Sequence, residues 1–297
     1  MGITVFPFTP EFGAEIGDVD LSQELDAATF SEIEQAFWKY SVLVFPSQTL
    51  TQEQHMSFAK RFGPLEGGSA SDRKKDPLRI HQDLTDVSNL TPEGKLWGTA
   101  SRKRQFELAN RLWHSDASFR LVPAYASLLY GREIAPIGGH TEFSDQRAAY
   151  DALSEAMKAR LAGLVAEHSI FNSRGRIGFS DFNEEDRRAM PPVPQSVVRT
   201  IPQNGRKTLY MSSHAGRILG MGEAEGNRLI DQLIEHSVQR QFVHIHRWRQ
   251  NDLIMWDNRC TMHRATGFDD LRWRRDVQRA TVRDRGNSCE QEGLKAS

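Results

Sequence analysis

The run Leu112-Trp113-His114-Ser115-Asp116 places an imidazole and a carboxylate two positions apart. Side chains at that spacing on an extended strand share a face, so His114 and Asp116 can take adjacent corners of one metal ion. His263, far downstream in Trp256-Asp-Asn-Arg-Cys-Thr-Met-His263, can complete that face. A chain that joins all three must bring a distant segment back to the same point. Two imidazoles and one carboxylate leave three positions open, an arrangement suited to non-haem Fe(II), which needs room for O₂ and a co-substrate. Three ligands with open positions also describe catalytic zinc. Hydrolysis without redox chemistry therefore competes as a reading of these residues alone.

Two arginines narrow the choice. Arg275 and Arg279 have the same parity, so on a strand both point into one space. Facing guanidiniums repel unless anions lie beside them, and a guanidinium is the cation best shaped to grip a carboxylate at two points. The residues thus ask for two anionic groups near one metal, whereas zinc hydrolysis seldom needs a second anion clamped there. Arg272 and Arg274 are read as solvated charge, like Arg206 and Lys207.

The pattern around these residues is that of a sheet with helical connections. Ser41-Val-Leu-Val-Phe45, Tyr125 to Gly131, Gln241 to Ile245, Leu253 to Trp256 and Val277 to Val282 read as strands. Ala28 to Tyr40, the segment opening with the capping-box pattern Thr51-x-x-Gln54, Asp145 to Gly163 and Gly222 to His236 read as helices. Gly138-Gly139 marks a turn. Residues 66–110 are polar and short of long periodic segments, which in a compact domain points to a functional lid. Scattered short strands with helices in the long connections suggest a closed or sandwiched β-core with helical insertions. One domain over 1–285 and a disordered polar tail over 286–297 are expected.

Composition excludes several classes. The formal net charge is −1 over 297 residues, so no global field draws the chain to nucleic acid or to an anionic membrane. Two cysteines are too few for a disulfide framework or a thiolate metal site. The first residues lack a basic segment followed by an apolar core, and no window approaches the ~18 apolar residues of a membrane span. The expected setting is cytoplasmic, the expected partner a small anionic molecule, and a homo-oligomer is left open.

In order and spacing, the chain resembles the Fe(II)/2-oxoglutarate dioxygenases of the taurine and 2,4-dichlorophenoxyacetate dioxygenase family. The likeness rests on His114-x-Asp116, Thr141 after the Gly-Gly turn, His263 within Trp256-Asp-Asn-Arg, and Arg275-x-x-x-Arg279. Phe62-Gly-Pro-Leu-Glu-Gly-Gly68, Ala109-Asn-x-Leu-Trp-His-Ser-Asp116 and Arg147-Ala-Ala-Tyr-Asp-Ala-Leu153 are most similar to the aryloxyalkanoate branch. The resemblance implies a mainly β fold with α insertions, a double-stranded β-helix (jelly roll) of the clavaminate synthase-like kind. It implies His114, Asp116 and His263 as the catalytic ligands of Fe(II), with 2-oxoglutarate and O₂ as co-substrates. Arg275 would pair with the distal carboxylate of 2-oxoglutarate, assisted by Thr141. Arg279 and Lys95 would meet the substrate's acid group, and His214 would line its pocket. His140, where many relatives have Asp or Asn, and the 69–75 stretch of the lid depart from the family pattern.

The implied reaction is hydroxylation of the carbon next to the carboxylate of an aryloxyalkanoic acid, with release of a phenol and glyoxylate alongside succinate and CO₂. The same chemistry on a sulfonate such as taurine, or on another small organic acid, is the alternative.

Overall fold

Alternation with a period of two decides what each strand of this chain covers. The computed structural model describes residues 2–67 and 79–295, so the 69–75 departure noted above lies outside the described residues. The largest sheet has seven strands, ordered Thr4–Pro7, Ala14–Gly17, Val42–Phe45, Leu253–Asp257, Ala124–Glu133, Asp276–Arg283 and Thr85–Asp86. On one face Leu43, Phe45, Leu128, Met255 and Ala280 pack with Ile33, Phe37 and Phe58. Those last three come from the helices Ala27–Tyr40 and Gln52–Lys60. On the other face Val42, Leu129, Ile254, Trp256 and Val277 share a cluster with Phe143. Phe143 belongs to a second sheet, ordered Val243–His246, Thr141–Asp145, Thr261–Ala265. Strands buried on both faces read as continuous apolar runs, which explains Val42–Phe45 and Leu253–Trp256.

Local signals start and stop the helices. Thr51 accepts from the Gln54 backbone, and Gln54 returns the bond to the Thr51 backbone, satisfying two donors at the open helix end. The expected single helix over Asp145 to Gly163 is instead two, Gln146–Asp151 and Glu155–Leu161. Ser154 accepts from Met157 N and begins a new helix, while Asp145 caps the first and holds the buried Arg147 guanidinium at 2.9 Å. A third apolar cluster joins Ala149, Leu161 and Met211 to Leu229, Ile230 and Leu233 of the helix Glu223–Ser237. None of the helices among the described residues is long and apolar enough to cross a membrane.

The tail expected to be disordered is packed as far as it is described. Asn287 caps a short helix, Ser288–Gln291, and its amide donates to the Leu121 and Pro194 carbonyls at 2.8 and 2.9 Å. Ser288 and Cys289 are buried, and Glu292 accepts from Thr200 N and Oγ1. Polarity misled here because the polar groups are spent on partners rather than on water. Asn287→Ala should lower the unfolding free energy by about 1–3 kcal/mol in a urea titration; an unchanged midpoint would mean that the segment contributes nothing to the fold.

Candidate active site

The expected His-x-Asp strand is not a regular strand. His114 forms one isolated antiparallel bridge with His263, donating to its carbonyl at 3.0 Å and accepting from its N–H at 2.8 Å. The chain then turns, with Ala117 at φ 51°, because Asp116 N is held by the Asn258 side chain at 3.1 Å. The two imidazoles nevertheless lie together, their ring centres 4.2 Å apart. Nε2 of His114 is 3.8 Å from Asp116 Oδ1, and Nε2 of His263 is 3.8 Å from Oδ2. One donor atom from each of the three lies within 4.8 Å of the others, and all three residues are buried. An ion with bonds of roughly 2.1 Å to such donors fits this triangle after small side-chain shifts.

Their surroundings select the ligating forms. Nδ1 of His114 is 2.8 Å from the Leu112 carbonyl. A carbonyl can only accept, so the proton sits on Nδ1 and Nε2 keeps its lone pair. Burial pulls both imidazoles below their usual range, His263 well below, so neither needs to lose a proton to bind a cation. Burial alone would push the Asp116 carboxyl up. Arg279, then His263 and His114, and the Ser127 hydroxyl outweigh it and hold it at about 2. Ser127 donates to Asp116 Oδ2 at 2.7 Å and accepts from Asn258 Nδ2 at 2.9 Å. Asn258 thus fixes both the backbone and the carboxylate of Asp116.

Strand parity builds the wall beside the ligands. His263 pairs with Phe143 and Ala265 with Thr141, so Thr141 shares the His263 face two residues away. Thr141 Oγ1 accepts from Trp248 Nε1 at 3.0 Å. Gly138 must be glycine in this turn: its φ is 75°, and a Cβ would meet the Gly267 carbonyl at 2.5 Å. Arg275 lies one residue before the strand Asp276–Arg283, yet like Arg279 it lines the cavity with His114, Thr141 and His263. It is 6% exposed, Trp248 lies 5.7 Å from its Cζ, and its Nε has no hydrogen-bond partner among the described residues. Burial pulls this guanidinium down to about 10, opposed by Glu107.

Not every residue singled out from sequence reaches the cavity. Lys95 does not: the Thr91 N–H donates to the Lys95 carbonyl at 2.6 Å around a turn with Gly94 at φ 77°, leaving Lys95 exposed. The same turn sends Trp97 to the cavity wall. His214 is buried behind His114 rather than on the wall, its ring edge-on to His114 at 6.1 Å and to Phe119 at 4.8 Å. Arg279 reaches the ligands directly, Nη1 donating to Asp116 Oδ1. His140 holds the turn, its N–H donating to Thr266 Oγ1 at 2.9 Å. Arg274 pairs with Glu133 and is exposed, as expected.

Ser127, Asn258, Trp248 and Glu107 were missed. Asn258 stood within the Trp256-Asp-Asn-Arg segment and could have been noticed; nothing in the sequence marks the other three. Glu107 belongs to the short helix Arg102–Glu107 in the expected lid. That part of the lid does face the cavity, through Trp97, Arg104, Glu107 and Leu108.

With this geometry the comparisons agree. Residues 4–281 match the family described as taurine catabolism dioxygenase TauD, TfdA family, and the chain belongs to that family of dioxygenases. It is 43% identical to the alpha-ketoglutarate-dependent 2,4-dichlorophenoxyacetate dioxygenase of Cupriavidus pinatubonensis, over 96% of this chain and 99% of that one. It is 35% identical to the (S)-phenoxypropionate/alpha-ketoglutarate-dioxygenase of Sphingobium herbicidovorans, over 89% and 90%. The crystal structure of AAD-2 in complex with Mn(II) and N-oxalylglycine superposes with a TM-score of 0.89 at 44% identity, covering 97% of this chain and 99% of that one.

Burial pushes the Glu107 carboxyl up to about 7, against the pull of Lys103. A carboxyl whose folded value exceeds its unfolded value near 4.5 binds its proton more tightly in the folded chain. It therefore costs stability as pH rises from the unfolded to the folded value, and the full cost persists above about pH 7. Glu107→Gln should make the protein more stable than the parent at pH 8, with the gap shrinking toward pH 5. Urea midpoints at the two pH values check this, and a gap independent of pH would contradict it.

Proposed function

We propose that this chain is an Fe(II)- and 2-oxoglutarate-dependent dioxygenase acting on aryloxyalkanoic acids of the 2,4-dichlorophenoxyacetate type. The observation that carries the reading is the His114, Asp116, His263 triangle with, on the same cavity wall, an Arg275 guanidinium that has no ion-pair partner among the described residues. The relatives named above act on 2,4-dichlorophenoxyacetate and phenoxypropionate, which favours aryloxy acids over sulfonates. Nearly full coverage of both chains supports one catalytic domain over 1–285, and the paired sheets are read as a double-stranded β-helix. The free, buried state of both cysteines suits a cytoplasmic setting.

The residues divide the work. His114 and His263 present neutral Nε2 atoms and Asp116 a carboxylate, the donor set that suits ferrous iron. Iron so held supplies the oxidative chemistry that couples decarboxylation of 2-oxoglutarate, with O₂, to hydroxylation of the substrate. Arg275 takes the distal carboxylate of 2-oxoglutarate, with the Thr141 hydroxyl beside it and Trp248 fixing that hydroxyl. Arg279, tied to Asp116 through Nη1, has its other nitrogens for the substrate's acid group. Gripping the acid places the neighbouring C–H toward the ligand triangle. Hydroxylation of a carbon that also bears the ether oxygen gives a hemiacetal, which collapses to a phenol and, from an aryloxyacetate, glyoxylate.

Three outcomes test this. Enzyme loaded with iron under anaerobic conditions and then given O₂ and 2-oxoglutarate should release a phenol from aryloxyacetates and no sulfite from taurine; the opposite products would move the activity to sulfonates. His114→Ala and Asp116→Ala should abolish turnover with the circular dichroism spectrum unchanged. Arg275→Ala should raise the 2-oxoglutarate requirement by roughly a hundredfold, the size expected for a desolvated charge pair, and leave the aryloxy-acid requirement within about threefold.

A further inference from the structure

Two acidic side chains line the cavity, Asp270 and Glu107. Asp270 is neutralised by Arg104, whose Nε and Nη2 donate to its two carboxylate oxygens at 3.0 Å each. The Glu107 carboxyl makes no hydrogen bond among the described residues, and its ion pair with Lys103 is loose, at 3.8 Å. A bare carboxylate on the wall of a cavity that receives carboxylates would repel what the cavity binds. A carboxyl that keeps its proton would not. We propose that Glu107 sets the hold on the co-substrate: it faces the distal carboxylate of 2-oxoglutarate beside Arg275 as an uncharged carboxyl, and once ionised it turns 2-oxoglutarate away. Binding of 2-oxoglutarate to an ionised site then carries one proton from solvent onto Glu107. The role rests on the assignment of Arg275 to that carboxylate and adds a second residue to the same end of the site.

Hydrogen bonds fix Glu107 on the Arg275 side of the cavity. Arg104 and Glu107 stand three positions apart on the helix Arg102–Glu107, so they share a face. The fork from Arg104 presses that face onto Asp270, five residues before Arg275. Asn89 ties the same segment down: its amide donates to the Asp270 and Trp273 carbonyls at 2.8 Å each, and its Oδ1 accepts from Arg275 N at 2.8 Å. Arg275 and Glu107 thus reach one cavity from two segments that are bonded to each other. The charges around Glu107 agree. Burial, the largest influence, holds its carboxyl at about 7, while Lys103 on its own helix, Arg174 and Arg275 pull it down and Asp86 pushes it up. An arriving carboxylate adds negative charge and covers a side chain that is 26% exposed in the empty cavity. Both changes favour the protonated form. Linkage then fixes the sign: affinity for 2-oxoglutarate is full below about pH 7 and falls as pH rises above it.

Glu107→Gln keeps the shape of the side chain and fixes it in an uncharged form, and the stability argument above has it fold at least as well as the parent. Fe(II)-loaded enzyme, kept anaerobic, is titrated calorimetrically with N-oxalylglycine, an isostere of 2-oxoglutarate, at pH 6.5 and 8.5. A further titration at pH 7.5 in buffers of different ionisation enthalpy counts protons. The parent should bind on the order of tenfold more weakly at pH 8.5 than at pH 6.5, whereas Glu107→Gln should stay within about twofold. At pH 7.5 the parent should take up roughly 0.7 proton per ligand more than the variant. With 2-oxobutyrate, which chelates alike and lacks the distal carboxylate, parent and variant should show the same pH dependence. Equal pH slopes for N-oxalylglycine, or the same parent–variant difference for 2-oxobutyrate, would overturn the proposal. So would a variant weakened equally at both pH values, which makes Glu107 a packing residue. Arg275→Ala in the same titrations keeps the underlying assignment apart: an unchanged affinity there takes the distal carboxylate away from Arg275. The proton count of parent against Glu107→Gln still decides whether Glu107 faces it.

Discussion

A single pair of backbone hydrogen bonds, exchanged between His114 and His263, underlies the proposed chemistry. It joins two segments that no local propensity could align, and it brings the two imidazole rings to 4.2 Å between centres. In an antiparallel pair that exchanges both bonds, the Cα atoms sit about 5.5 Å apart, close enough for two side chains on one face to share an ion. The surrounding groups then refine the pair. Phe143 and Trp256 pack on the His263 ring, the Leu112 carbonyl selects the His114 tautomer, and Asn258 turns the chain so that Asp116 points back at both.

Charge is distributed around this bridge with few loose ends. Asp116 lies between two imidazoles and Arg279, which keeps it ionised in spite of its burial. The buried Arg147, Arg199 and Arg259, away from the cavity, carry their own carboxylates and are structural. Arg275, which forms no ion pair among the described residues, lines the cavity with Glu107, whose burial makes it hold a proton more readily than an ordinary glutamate. A neutral Glu107 leaves the Arg275 guanidinium free for an incoming anion. The positive character of the cavity is thus local, which is why a chain with a net charge of −1 can still receive two carboxylates.

The lid shows how local rules and tertiary demands divide the chain. Residues 66–110 looked irregular because, in the part that is described, order comes from contacts distant in sequence. Arg79 binds both Asp86 and Asp276, Asn89 donates to the Asp270 and Trp273 carbonyls, and Arg104 pairs with Asp270. These bonds tie the segment to Asp270 and Trp273, just before Arg275, and to Asp276 at the start of the strand that bears Arg279. The lid and the anion sites are therefore built on one another.

Much was legible from residues alone. Apolar periodicity and the Thr51 capping box located the helices and the buried strands, and the spacing of His114, Asp116, His263, Arg275 and Arg279 marked the candidate site, to which the family resemblance added Thr141, because metal ligands and carboxylate clamps use few residue types in few patterns. Partnership was not legible. Arg174 and Arg147 look alike in sequence, and only the fold decides that Arg147 meets Asp145 while Arg174 meets no acid among the described residues. The packed 286–295 segment, the break at Ser154, the outward turn of Lys95 and the Ser127–Asn258 support of Asp116 were settled in the same way. The tail and the support of Asp116 depend on hydrogen bonds supplied from distant parts of the chain, whereas the Ser154 break and the Lys95 turn are closed by bonds three and four residues away. The free energy of a polar group is set by its partner rather than by its own side chain.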